Sequence, residues 1–113
     1  MIAASDKLCV LTIAGSDSSG GAGIQADIKT ISALDGYACS VITAVTAQNT
    51  YQISAVEQLS PTNIKTQIDA VLTDLPVQAI KIGMLFSADI IDVVFSTLAN
   101  YPACPIVLDP VMC

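Results

Sequence analysis

The sequence predicts an α/β domain built on a parallel sheet, and three observations point there. Apolar, β-branched runs of strand length alternate with segments whose apolar residues recur at helical spacing. The strand runs are almost unbroken in hydrophobicity, as strands covered on both faces are. The chain has 113 residues, 53% hydrophobic and only 12% charged, enough for one domain with a real core.

The first predicted strand is Leu8–Ala14. It runs into Gly15-Ser-Asp-Ser-Ser-Gly-Gly-Ala-Gly23, a glycine-rich strand-to-helix turn. Such a turn brings main chain and helix N–H groups to a small polar ligand, often an anion. Ile24, Ile28, Ile31 and Leu34 mark the buried stripe of the first helix, which Asp35-Gly36 stops. Cys39–Thr46 is the second strand, with Ala47-Gln-Asn-Thr50 as its polar exit. Ile53–Leu59 reads equally as a short strand or as extended loop. Ser60 and Pro61 start a second helix with Ile64, Ile68, Val71 and Leu72 inward, ended by Leu75-Pro76. Ala79–Ile82 is the third strand of the parallel set, followed by Gly83-Met84. Ser87 caps a third helix with Ile91, Val94, Phe95 and Leu98 inward. Ile106–Leu108 is the fourth strand and leaves at Asp109-Pro110. No internal repeat or linker interrupts the pattern. A chain that ends just after a strand leaves that strand uncovered, so further sequence is expected to complete the domain.

Charge narrows the partners. The net charge is −6, the four basic residues are lysines, and there is no His. A nucleic-acid binder needs basic groups for the phosphates, and so does a protein that docks on an anionic membrane. Neither partner is expected, and no apolar run reaches membrane-spanning length. Cys9, Cys39, Cys104 and Cys113 lack metal-type spacing and read as thiols of a reduced, cytoplasmic protein. Without His, the Ser-His and Cys-His nucleophile systems are excluded.

In a parallel α/β sheet, ligands bind at the carboxyl ends of the strands. The glycine loop, Gln48-Asn49, Gly83-Met84 and Asp109 all fall at such ends and are expected to converge. Gly21-Ala-Gly-Ile-Gln-Ala26 matches the dinucleotide fingerprint, but Gln48 and Asn49 stand where the ribose-binding acid belongs. No Lys follows the glycines, which excludes the phosphate loop of nucleoside triphosphatases. Gln48 carries a donor beside an acceptor, suited to the edge of an amino-substituted heterocycle or to nearby backbone. Asp27 suits the helix dipole. Met84 suits the face of a flat ring or a gap in the core. Asp109 suits a metal or phosphate-bearing ligand, or turn initiation before Pro110.

Residues 11–27, Leu-Thr-Ile-Ala-Gly-Ser-Asp-Ser-Ser-Gly-Gly-Ala-Gly-Ile-Gln-Ala-Asp, resemble the opening of the hydroxymethylpyrimidine/phosphomethylpyrimidine kinases of thiamine biosynthesis, in the ribokinase superfamily. Cys-Ser-Val-Ile-Thr-Ala (39–44), Ala-Gln-Asn-Thr (47–50), Lys-Ile-Gly-Met (81–84) and Val-Leu-Asp-Pro-Val-Met (107–112) follow in order. The resemblance implies a ribokinase-like fold and transfer of phosphate from ATP to the hydroxymethyl group of an aminopyrimidine, then to its monophosphate. It assigns substrate contacts to Gly15, Asp27, Gln48, Met84 and Val111, and places Asp109 near Mg2+ and the phosphates. A homo-oligomer is compatible with it. Thr46 stands where an apolar pocket residue is expected. Members of that family are more than twice as long, so residues 1–113 are expected to be the N-terminal, substrate-binding half of the kinase domain. No catalytic residue is assigned within it, and the chain alone is expected to lack measurable turnover. The alternatives are a non-catalytic pyrimidine-binding module and the dinucleotide-binding domain of an oxidoreductase.

Overall fold

The computed structural model describes residues 7–109. Five strands form one sheet: β1 (Cys9–Asp17), β2 (Tyr37–Gln48), β3 (Ile53–Gln58), β4 (Ala79–Ile82) and β5 (Ile106–Leu108). Three helices connect them: α1 (Gly23–Ala33), α2 (Pro61–Leu72) and α3 (Ala88–Leu98). The order across the sheet is β3-β2-β1-β4-β5. β1, β2, β4 and β5 run parallel, as predicted. β3 is antiparallel to β2, so the whole sheet is mixed. All six β3 residues are exposed, which is why no buried periodicity marked them in the sequence. The hairpin between β2 and β3 is closed by Asn49, whose side-chain oxygen accepts from the N–H groups of Tyr51 (2.8 Å) and Gln52 (3.0 Å).

β1 is the central strand, and the chain leaves it in opposite directions. α1 crosses to β2 on one side, while α2 crosses back over β1 to reach β4 on the other. Right-handed crossovers then put α1 on one face of the sheet and α2 with α3 on the other. The core confirms the division. Leu11, Ile13, Val41, Ile80 and Ile82 pack with Ile64 and Ile68 of α2 and Ile90, Val94 and Leu98 of α3. The alternate residues Thr12 and Lys81 face α1 instead.

Two helix starts are as predicted. Ser60 Oγ accepts from the Asn63 N–H at 3.1 Å, with Pro61 in the first turn. Ser87 Oγ accepts from the Ile90 N–H at 3.3 Å. Other expectations need correction. β1 runs three residues further, through Gly15 to Asp17, so the loop is shorter than the glycines suggest. β2 likewise extends at both ends. α2 ends at Leu72, where Thr73 turns its hydroxyl back to the Asp69 carbonyl (2.6 Å). α1 buries only Ile24; Leu34 is 79% exposed, because nothing among the described residues covers that end of the helix. In α3 Val94 and Leu98 face inward as expected, together with Ile90, whereas Ile91 and Phe95 lie partly exposed beside the β5 exit. The stop after α1 is made by Asp35 itself, at φ 63°, ahead of Gly36.

One helix side chain behaves as a piece of strand. Gln67 of α2 accepts from the Ile42 N–H (2.9 Å) and donates to the Ile42 carbonyl (2.8 Å), just before Ala44, where β3 pairing begins. Among the described cysteines, Cys9, Cys39 and Cys104 are free thiols. Burial first, then the neighbouring Cys9, pushes the Cys39 thiol up to about 12. No helix among the described residues is long and apolar enough to cross a membrane.

Candidate functional site

The loop after β1 is organised by a carboxylate that motif reading passed over. Asp17 is buried at the strand end. It accepts from the Ser19 hydroxyl (2.7 Å), the Ser19 N–H (2.9 Å) and the Gly21 N–H (3.1 Å). These bonds, led by the Ser19 hydroxyl, hold its carboxyl below the ordinary carboxylate range against the opposing pull of burial. Gln25 reaches back from α1, accepting from the Asp17 N–H (2.8 Å) and donating to Ser16 Oγ (2.7 Å). The chain then turns at Gly20 and Gly23, which take φ of 82° and 59°. At the entry to α1, Ala22 offers no side-chain cap, and the first turn holds no acid. Its N–H groups therefore open at the sheet edge. Asp27 lies beyond that first turn, so a helix-dipole partnership does not describe it.

Asp27 belongs to a polar chain that crosses the sheet. The fully buried Thr12 donates its hydroxyl to Asp27 Oδ2 at 2.6 Å. Lys81, from the middle of β4, forms an ion pair with Asp27 Oδ1 and a second with Asp109 Oδ2 at 3.3 Å. Burial disfavours the Lys81 charge, but the two carboxylates outweigh it, Asp27 foremost, and hold its pKa above the usual lysine value. Three elements and the exit of a fourth are thereby tied at one point. The sequence signal was present: Lys81 is the single charge in an apolar strand, and Thr12 the single hydroxyl in the apolar run Leu8–Ala14.

Above this chain lies a cavity of about 250 Å³ at the carboxyl ends of β1, β2 and β4. Its lining includes Gly15, Asp27, Gln48, Met84 and Asp109. The structure thus brings together five of the six site residues predicted from sequence. Val111 lies outside the described residues. The position matches the reversal of strand order on either side of β1, where α/β sheets open a crevice.

Sequence reasoning missed Phe86, Ser18 and the use of Thr46. Phe86 takes a left-handed backbone (φ 68°), strained for an aromatic residue. Its ring fills the space where a β-carbon on Gly15 would stand, 2.7 Å from such an atom. The Phe86 ring therefore favours glycine at position 15. Ser18 clasps the end of β2, its hydroxyl donating to the Gln48 carbonyl and accepting from the Gln48 N–H, both at 2.7 Å. Thr46 stands where the resemblance implies an apolar pocket residue, and it uses its hydroxyl: Oγ1 lies 2.8 Å from the Ser16 carbonyl oxygen and 3.1 Å from Gln48 Oε1.

Comparison with known proteins gives one family. A family model described as phosphomethylpyrimidine kinase matches residues 17–113. The hydroxymethylpyrimidine/phosphomethylpyrimidine kinase of Escherichia coli strain K12 is 49% identical over 106 residues, which cover 94% of this chain and 40% of that protein. The crystal structure of phosphomethylpyrimidine kinase from Clostridium difficile 630 superposes with a TM-score of 0.90 at 57% identity, over 94% of this chain and 46% of that one. The pyridoxal kinase of Staphylococcus aureus in complex with AMP-PCP and pyridoxal superposes with a TM-score of 0.80 at 39% identity, over 94% and 40%. The chain thus spans less than half the length of each. The sheet and helices described are the corresponding part of that ribokinase-like fold, and the dinucleotide-binding alternative falls away.

Proposed function

Since the chain belongs to the phosphomethylpyrimidine kinase family, we propose that it forms the substrate-holding part of an ATP-dependent kinase of thiamine biosynthesis. The substrate is 4-amino-5-hydroxymethyl-2-methylpyrimidine, phosphorylated on its hydroxymethyl group, and then the resulting monophosphate.

The observation that carries this reading is the convergence of Asp27 from α1, Gln48 from the end of β2 and Met84 from the turn after β4 on one small cavity. At about 250 Å³ it lies just below the roughly 300–1,000 Å³ of pockets for drug-sized ligands, as suits a single ring. Gln48 supplies a donor and an acceptor to the ring edge. Met84, 43% exposed, offers a polarisable thioether to the ring face. Asp27, oriented by Thr12 and Lys81, supplies a fixed carboxylate. Together these residues bind and orient the ring, which sets the direction of the hydroxymethyl group.

ATP and Mg2+ need more than the described residues offer. Among these residues no three His, Cys, Asp or Glu side chains cluster to hold a metal. Asp109, half exposed, is turned onto Lys81. Lys81 is itself committed to two carboxylates, and Lys29 donates to the Gly20 carbonyl (3.0 Å). The described residues therefore fit the pyrimidine and do not by themselves fit a metal–triphosphate.

Calorimetric titration with the aminopyrimidine tests the reading. Gln48→Leu leaves ring donor and acceptor unpaired, at about 1–3 kcal/mol for each buried group, so affinity is expected to fall at least about tenfold. Unchanged affinity in that variant rejects the role of Gln48 and the reading built on it.

A further inference from the structure

The residue whose chemistry departs from its expected place is Thr46, and its neighbourhood fixes more than its own position. It is a buried hydroxyl, 4% exposed, on the wall of the cavity. The hydroxyl has one proton and two close partners, both acceptors in the structure: the Ser16 carbonyl oxygen at 2.8 Å and Gln48 Oε1 at 3.1 Å. The main-chain carbonyl is fixed and can only accept, whereas the side-chain amide can turn over, so the proton belongs to Ser16. Thr46 Oγ1 then meets Gln48 as an acceptor. A glutamine amide keeps its shape when its oxygen and nitrogen are exchanged. The orientation that turns Nε2 toward Thr46 makes both contacts hydrogen bonds. The opposite one sets oxygen against oxygen, away from water. The main chain of Gln48 is pinned independently by Ser18, through both its N–H and its carbonyl. The side-chain amide has no slack left to take up from the backbone.

We propose that Thr46 is a positioning residue that holds the Gln48 amide with Nε2 on Thr46 and Oε1 toward the cavity, so that the site selects 4-amino over 4-oxo pyrimidines. The inference rests on the aminopyrimidine reading and adds the source of its selectivity. In a ring held by its hydroxymethyl end, the exocyclic substituent falls on one fixed corner of the amide. Oε1 at that corner accepts from an amino group. The second Nε2 proton is left for the unprotonated ring nitrogen beside it. In a 4-oxo ring the substituent is an acceptor and that nitrogen carries a proton, so both contacts set like against like. Without the Thr46 hydroxyl the amide is free to turn over and accept either edge.

The test is calorimetric titration of the intact protein with 4-amino-5-hydroxymethyl-2-methylpyrimidine and with its 4-oxo counterpart, for wild type, Thr46→Val and Thr46→Ser. The wild type is expected to prefer the amino ring by about a hundredfold, roughly tenfold for each mismatched buried pair. Thr46→Val is expected to narrow that preference at least about tenfold, and Thr46→Ser to keep it. A Thr46→Val protein with the wild-type preference overturns the inference, and so does a wild type that prefers the 4-oxo ring. A wild type that binds neither ring overturns the aminopyrimidine reading itself, a result distinct from the other two. Should Thr46→Val fail to fold, the side-chain amide protons of Gln48 in the unliganded wild type decide by NMR. One proton is expected to be protected from exchange, in the wild type and in Thr46→Ser alike; two equally unprotected protons in the wild type overturn the inference.

Discussion

Gly15 and Gly23 lie so close that a β-carbon on Gly23 would stand 2.3 Å from the Gly15 carbonyl oxygen. The contact is backbone against backbone, reinforced by a bridge between Ser16 and Gly23, so neither side can yield cheaply. Gly23→Ala is expected to destabilise the protein by about 2–4 kcal/mol, from overpacking added to the cost of a left-handed backbone. Gly20→Ala is the control. Its φ is also positive, but the nearest atom is the flexible end of Lys29 at 3.2 Å. It is expected to cost about 1 kcal/mol. Urea unfolding of the two variants, followed by circular dichroism, reads the difference.

Lys81→Met removes the cation that Asp27 and Asp109 share and leaves the largely buried Asp27 carboxylate with one partner, Thr12. Lys81 and Asp109 are partly exposed, which moderates the loss to about 1–3 kcal/mol. The sign of the pH effect follows from the raised pKa of Lys81. Its stabilisation is fully present below the unfolded lysine value and lost as pH rises through the folded one. Melting temperatures across the alkaline range are expected to fall less steeply in Lys81→Met than in wild type.

Thr43 makes the opposite kind of prediction. It is fully buried on β2, and its hydroxyl has no hydrogen-bond partner among the described residues. Thr43→Val keeps the shape and removes the unsatisfied group. It is expected to stabilise by about 1 kcal/mol, read as a higher urea midpoint at unchanged slope.

Acid sensitivity is expected to centre on Asp17. Its depressed pKa means that its stabilisation is present above the unfolded value of 3.8 and lost as pH falls through the lower folded value. Asp17→Asn is expected to melt lower at neutral pH, because the Gly21 N–H loses its acceptor, and to show a flatter fall below pH 4. Differential scanning calorimetry from neutral to strongly acid pH measures both.

β1 was legible in the sequence because both of its faces are covered, and β2, β4 and β5 because they too are apolar, β-branched runs, although β5 is exposed among the described residues. The two side-chain caps were legible because Ser60 and Ser87 act on their own helices. What stayed hidden depends on distant partners. β3, Ile-Ser-Ala-Val-Glu-Gln, is exposed throughout and interrupted by polar residues, so no apolar run marks it. Gly15 reads as loop and is strand, because the ring that excludes its side chain comes from Phe86. Asp27 reads as a dipole partner, and only the fold supplies Thr12 and Lys81 beside it. The converging strand exits followed from topology, whereas the use of Thr46 required the positions of Ser16 and Gln48.

The grip of Gln67 on Ile42 has a consequence for self-association. Where β3 has not yet begun to pair, β2 would otherwise present an N–H and a carbonyl to the solvent, an invitation to an edge strand from another molecule. Both groups are already satisfied by one side chain from α2. A foreign strand gains no hydrogen bonds there unless it first displaces the glutamine. The helix thereby guards the sheet against growth by addition at the point where its own ladder is incomplete.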